Sequence, residues 1–118
     1  MATDPDTTWH TTLAEAAAAP IPAGARSALL MRHGSMAVRW YAPEGHDPQT
    51  PHDQDEIYVI ARGGGTFFNA GERVPFGPGD VLFVAAGQEH RFEDFSSDFA
   101  TWVVFYGARG GETAGDPA

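Results

Sequence analysis

The chain has 118 residues, which is enough for a single domain with one modest hydrophobic core. Its formal net charge of −9 would repel phosphate backbones and anionic lipid surfaces, so we expect neither nucleic acid nor a membrane among its partners. The sequence contains no cysteine, which excludes disulfide scaffolds, thiolate zinc sites and cysteine nucleophiles.

Residues 1–26 predict an N-terminal arm with one short helix. Thr11 or Thr12 is placed to cap a helix that runs through Leu13 and the alanines after it, and Pro20 ends that helix. The arm contains no basic segment followed by a long apolar run. We therefore expect neither a signal peptide nor a transmembrane span, and the cytoplasm is the expected location.

Residues 27–107 predict a set of short strands. Apolar runs alternate there with glycine, proline and aspartate, which is typical of strands joined by tight turns. The predicted strands span residues 28–32, 36–41, 56–61, 66–69, 72–75, 81–84, 89–93 and 99–106. Such a series predicts an all-β fold, a small antiparallel barrel or sandwich. Residues 108–118 are glycine-rich and acidic, which predicts a mobile tail.

Residues 52–56, with the sequence HDQDE, carry three side chains that can bind a metal. His52, Gln54 and Glu56 are two residues apart, so on a β-strand they leave the same face. Inward-facing imidazole, amide and carboxylate groups are costly to bury unpaired, and a divalent ion would pair with them. Tyr58 and Ile60 continue this face and are predicted to line the interior pocket.

Strand geometry restricts which of these residues can share an ion. His52 and Glu56 are four residues apart, roughly 13 Å on a straight strand. Both can bind one ion only if the chain bends or bulges near Gln54.

A second segment resembles a motif of a known family. From Gly79 the sequence runs through five residues to Ala85, then to Gly87, His90 and Asp94. It is similar to the second motif of the cupin superfamily, G-x5-P-x-G-x2-H-x3-N, with Ala85 in place of proline and Asp94 in place of asparagine. The two glycines form turns around a buried strand, and His90 begins the next strand pointing inward.

The first cupin motif, G-x5-H-x-H-x3/4-E-x6-G, is matched less completely. Glu56 and Gly63 fit its E-x6-G end. At the histidine end, Gln54 stands in the second histidine position in one alignment, and Thr50 stands in the first in the other. Either alignment leaves His52 as the one histidine ligand from this motif.

The resemblance covers roughly residues 36–106 and implies a small single-domain cupin, an antiparallel β-barrel or double-stranded jelly roll. It also implies one divalent ion, Fe, Mn, Ni or Zn, and a homodimer, since cupins often pair edge to edge. Three arrangements stay open: a bent site of His52, Gln54, Glu56 and His90, which we favour; His52, Gln54 and His90 with Glu56 outside the coordination sphere; or no metal. A Glu56 that does not bind the ion would be a catalytic general base.

Two functions are compatible with these residues. The resemblance implies an enzyme that acts on a small organic molecule, with oxygenase or isomerase and lyase chemistry. The alternative is a non-catalytic cupin that binds a small molecule and has a degenerate or empty metal site. The missing second histidine favours the alternative.

Overall fold

The computed structural model describes residues 4–113, which form one six-residue helix and eight strands. The elements are α1 (Leu13–Ala18), β1 (Ala28–His33), β2 (Met36–Tyr41), β3 (Asp55–Arg62), β4 (Gly65–Asn69), β5 (Glu72–Phe76), β6 (Val81–Val84), β7 (His90–Glu93) and β8 (Ala100–Tyr106). The predicted strands β2 and β6 have these bounds, and each other predicted strand differs by no more than one residue at either end.

The strands form two antiparallel sheets. One has five strands in the order β1-β2-β8-β3-β6, and the other has three in the order β5-β4-β7. Glu56 pairs with Phe105 of β8 on one side and with Val84 of β6 on the other, so β3 lies inside the larger sheet. The predicted antiparallel jelly roll with one short N-terminal helix is confirmed.

The main core lies between the two sheets and is rich in aromatic rings. Phe92 is at its centre: its ring lies 4.7–5.2 Å, centroid to centroid, from the rings of Tyr58, Phe67, Phe76 and Phe99. All five side chains are at least 94% buried. Tilted and edge-to-face contacts of this kind stabilise a core beyond the burial of apolar area alone.

A second apolar cluster covers the outer face of the five-stranded sheet. Ala16 of α1 is fully buried and packs in one cluster with Trp40 of β2 and Ala100 of β8. Thr12 caps the helix and accepts a hydrogen bond from the Glu15 amide, as one of the two predicted caps. The helix therefore has a packing role on the sheet.

Gly63 closes the turn after β3 against a neighbouring loop. Its backbone φ is +78°, and a Cβ atom there would lie 2.5 Å from the Cα of Phe99. Both facts require glycine. This explains why the E-x6-G spacing holds in this chain: Gly63 fixes the far end of the strand that carries Glu56.

The residues after β8 lie against the segment that precedes β3. The amide of Gly110 donates to the carbonyl of Asp53 at 2.6 Å, and the amide of Glu112 donates to the Asp55 carboxylate at 2.9 Å. Residues 114–118 of the predicted mobile tail lie outside the described residues. The division into residues 1–26, 27–107 and 108–118 stays a prediction. Over residues 4–113, no helix is long and apolar enough to cross a bilayer.

Candidate metal centre

Glu56 and His90 meet in the interior from opposite sheets. Glu56 is the second residue of β3 and is fully buried, while His90 is the first residue of β7 and is 2% exposed. Nε2 of His90 lies 2.8 Å from Oε1 of Glu56. The contact joins the two segments that resemble the cupin motifs.

His52 reaches the same place because the chain bends before β3. The bend is at Asp53 and Gln54, and it brings Nε2 of His52 within 3.9 Å of Oε1 of Glu56. The carbonyl of His52 accepts a hydrogen bond of 2.7 Å from the amide of Gly87, the turn glycine that precedes His90. The ligand atoms of His52, Glu56 and His90 consequently all lie within 4.8 Å of one another.

The side chain of Gln54 makes its hydrogen bonds elsewhere. Its amide nitrogen donates to the carbonyls of Ser35 and Gly107, at 3.1 and 2.9 Å. The amide oxygen that contacts the cluster belongs to Gln49, at 3.2 Å from Nε2 of His52 and 2.9 Å from the Tyr58 hydroxyl. Sequence reasoning missed Gln49 because this residue lies in a loop, where residue spacing does not predict the direction of a side chain.

Five polar atoms form a closed ring between the sheets. Nε2 of His90 lies 2.8 Å from Oε1 of Glu56 and 3.1 Å from the Tyr58 hydroxyl. Oε1 of Gln49 lies 2.9 Å from the Tyr58 hydroxyl and 3.2 Å from Nε2 of His52. The distance of 3.9 Å from Nε2 of His52 to Oε1 of Glu56 completes the ring. Ligands that bind one ion at about 2.1 Å lie about 3–4 Å apart, so this spacing suits a single cation.

The Glu56 carboxylate lacks the hydrogen bonds that its burial requires. Neither oxygen receives a hydrogen bond of acceptable geometry, although His90 Nε2 lies 2.8 Å from one of them. Nδ1 of His90 lies 2.8 Å from the carbonyl of Gln88, which can only accept, so Nδ1 carries a proton. Once Nε2 gives up its proton in exchange for a cation, its lone pair and the carboxylate both face the ion, while the Gln88 carbonyl holds the ring.

The pKa values of the two imidazoles shift in opposite directions. Burial lowers the pKa of His52, and the Glu56 carboxylate opposes this effect only in part. The lowered pKa keeps the His52 ring in the neutral form that can bind a metal. Burial acts to lower the pKa of His90, but Glu56 and the Gln88 carbonyl outweigh it and the pKa is raised. Without an ion, His90 is therefore more readily protonated and pairs with the Glu56 carboxylate, and a bound cation would take the place of that proton. Burial and the Glu56 charge raise the pKa of Tyr58, so its hydroxyl stays protonated.

A cavity of about 80 Å³ opens beside the cluster. It is lined by Arg26, Ser27, Tyr41, Gln49, His52, Val103 and Phe105. Tyr58 and Ile60, predicted to line a pocket, are both in the buried core, and neither lines this cavity. Tyr58 still reaches the cluster through its hydroxyl group.

Similarity to known proteins identifies the family. The cupin domain family matches residues 38–106, more than half of the chain. An uncharacterized protein of Streptomyces coelicolor is 35% identical over 77 residues, 64% of this chain and 73% of the relative. A Cupin 2 conserved barrel domain protein from Salinispora arenicola has a TM-score of 0.63 at 21% identity, over 86% of this chain and 91% of its own.

A protein from Photorhabdus luminescens has a TM-score of 0.54 at 16% identity, over 64% of this chain; the chain spans 66% of that protein's length. At these identities the two structures support the fold alone. The family match is of a different kind, because it covers His52, Glu56 and His90 together. The chain therefore belongs to the cupin family.

Proposed function

We propose that the chain binds one divalent metal ion through His52, Glu56 and His90 and acts on a small organic molecule. The observation that carries the proposal is the fully buried Glu56 carboxylate, which faces Nε2 of His90 at 2.8 Å and Nε2 of His52 at 3.9 Å and has no hydrogen bond of acceptable geometry. An uncompensated buried charge costs several kcal/mol. A cation held between this carboxylate and two imidazoles would offset that cost.

The donor set fits the ions that the cupin resemblance implies. Two imidazoles and one carboxylate suit Fe, Mn, Ni or Zn, and three protein ligands leave positions for a substrate. When bound, such an ion supplies Lewis-acid polarisation of a substrate oxygen, and iron adds redox chemistry. If Glu56 stays outside the coordination sphere, its carboxylate is placed to accept a proton as a general base.

The chain's own residues would orient the substrate and exclude water. The Gln88 carbonyl holds the ring of His90 at one angle through Nδ1. The protonated hydroxyl of Tyr58 is a hydrogen-bond donor within the cluster. Phe105 packs edge-on against His52, with ring centroids 5.0 Å apart, and covers one side of it.

The cavity beside His52 favours a small anionic substrate. Its volume of about 80 Å³ is well below the ~300–1,000 Å³ typical of drug-sized ligands. Arg26 contributes a cation to the lining, and Ser27 and Tyr41 contribute hydroxyl groups. These groups match a short carboxylic acid or a similar oxygen-rich anion.

The size of this cavity also favours a second candidate function, a non-catalytic cupin that holds a small ligand. In that case the ligand would occupy the cavity without turnover, with or without an ion at the cluster. Assays with a panel of short carboxylic acids separate the enzyme from the binding protein. Dioxygen uptake is measured for the Fe²⁺ form, and products are analysed for the Mn²⁺ and Ni²⁺ forms. Turnover by any form supports the enzyme; saturable binding without turnover by every form supports the binding protein.

Metal analysis of tag-free protein tests the proposal directly. We expect one bound ion per chain after loading with Fe²⁺, Mn²⁺, Ni²⁺ or Zn²⁺, and an affinity reduced by about 100-fold or more in His90→Ala. His46→Ala is the matched control, because His46 is exposed in the loop before the cluster. Absence of binding with all four ions, or equal binding by His90→Ala, would overturn the proposal.

A further inference from the structure

We propose that Gln49 supplies a fourth protein ligand through its amide oxygen, in the place where the cupin motif would have its first histidine. This rests on the proposed function, because it presupposes an ion at His52, Glu56 and His90. In the alignment that puts His52 in the second histidine position, the first is held by Thr50, whose side chain is exposed. Gln49, one residue earlier in the chain, is half-buried and contacts the cluster.

Asp47 fixes which end of the Gln49 amide faces the cluster. Nε2 of Gln49 donates to Oδ2 of Asp47 at 2.7 Å. An ionised carboxylate can only accept, so the nitrogen must face Asp47 and the oxygen must face His52 and Tyr58. The ligating atom is therefore already aimed at the site.

The residue that orients Gln49 is itself anchored to two strands. Asp47 is 8% exposed and accepts a hydrogen bond of 2.9 Å from the amide of Phe92 in β7. Its other oxygen accepts from the hydroxyl of Tyr41 in β2. The loop before β3 is consequently tied to both sheets at the point where it presents Gln49, which reduces the entropy lost when an ion binds.

The position of the oxygen suits a ligand. Oε1 of Gln49 is 3.2 Å from Nε2 of His52, close to the ~3 Å between neighbouring ligands with bonds of ~2.1 Å. A site of two nitrogens and two oxygens is harder than one with three imidazoles. It should hold Mn²⁺ and Fe²⁺ well and should show a smaller preference for Ni²⁺ than a three-histidine site does.

Paired glutamine variants of the full, tag-free chain test this inference. Isothermal titration with Mn²⁺ and Co²⁺ gives affinities, and the visible spectrum of bound Co²⁺ reports a change in ligands independently of any activity. We expect Gln49→Leu to weaken both ions by about 10- to 100-fold and to alter the Co²⁺ spectrum. Gln54→Leu is the matched control and should stay within about twofold of the wild type, because Gln54 bonds to backbone carbonyls outside the cluster.

A gain-of-function variant covers the case in which Gln49→Leu fails to fold. Gln49→His should raise the affinity for Ni²⁺ relative to Mn²⁺ by about tenfold or more, since imidazole suits the later ion. Unchanged affinity and spectrum in Gln49→Leu, no gain in Gln49→His, or a loss confined to Gln54→Leu would each overturn the inference while the wild type still binds an ion. A wild type that binds no ion would remove the proposed function, and the inference with it.

Discussion

The space between the two sheets has an apolar end and a polar end, and the same strands build both. β3 buries Glu56 at one end and Ile60 at the other, and β7 places the buried His90 two residues before the buried Phe92. Each of these strands thus contributes a buried residue to both ends. What differs is that the aromatic end is packed with rings, whereas the polar end holds the buried Glu56 carboxylate beside two imidazoles.

This difference separates the residues that stabilise the fold from the residues proposed to carry its function. Aromatic packing stabilises the barrel whether or not any ligand is present. Replacing a buried carboxylate and imidazole with apolar residues of similar size is often neutral or stabilising. Tyr58 joins the two ends, because its ring packs 4.8 Å from that of Phe92 while its hydroxyl belongs to the polar ring.

The largest effect is expected from removing the ring at the centre of the apolar end. Phe92→Ala should lower the free energy of unfolding by about 3–5 kcal/mol, because it leaves a cavity among four packed rings. Chemical denaturation followed by fluorescence or circular dichroism measures this. Phe83→Ala is the control, since Phe83 is 52% exposed on β6. Similar losses for the two variants would show that the ring cluster is not the main source of stability.

A smaller loss is expected from Gly63, which closes the apolar end behind β3. Gly63→Ala should cost about 2–4 kcal/mol, because alanine is strained at positive φ and its Cβ would meet the Phe99 backbone. Gly77→Ala is the matched control: its Cβ would meet no atom within 4 Å and its φ is not positive. The same denaturation experiment applies. A Gly63→Ala variant as stable as Gly77→Ala would contradict this account.

The fold was predictable from the sequence because its signals are local. Short apolar runs predicted the strands, and turn glycines such as Gly79 and Gly87 separated them. Two positions of the candidate metal cluster were predictable for the same reason: Glu56 and His90 lie within or at the start of a strand, where residue parity determines the face.

Gln49 was not predictable because it depends on contacts distant in sequence. Its orientation follows from Asp47, and that of Asp47 follows from the amide of Phe92, 45 residues further along the chain. Gln54 has the spacing of a strand residue, but the bend at residues 53–54 leaves it bonded to Ser35 and Gly107. Strand parity does not apply to residues in a bend.

The smallest effect on stability, and one of opposite sign, is expected when the polar end is made apolar. The double variant Glu56→Leu with His90→Leu, compared with the wild type in a chelating buffer, should be unchanged or more stable by up to about 2 kcal/mol. The gain is limited because the Tyr58 hydroxyl loses its contact with His90 but keeps Gln49 as an acceptor. Adding Mn²⁺ at 100 times its Kd should stabilise the wild type by about 2.7 kcal/mol and leave the double variant unchanged. A loss of more than about 2 kcal/mol in the chelating buffer would mean that the Glu56–His90 pair holds the barrel together by itself, and the division between a stabilising end and a functional end would then be wrong.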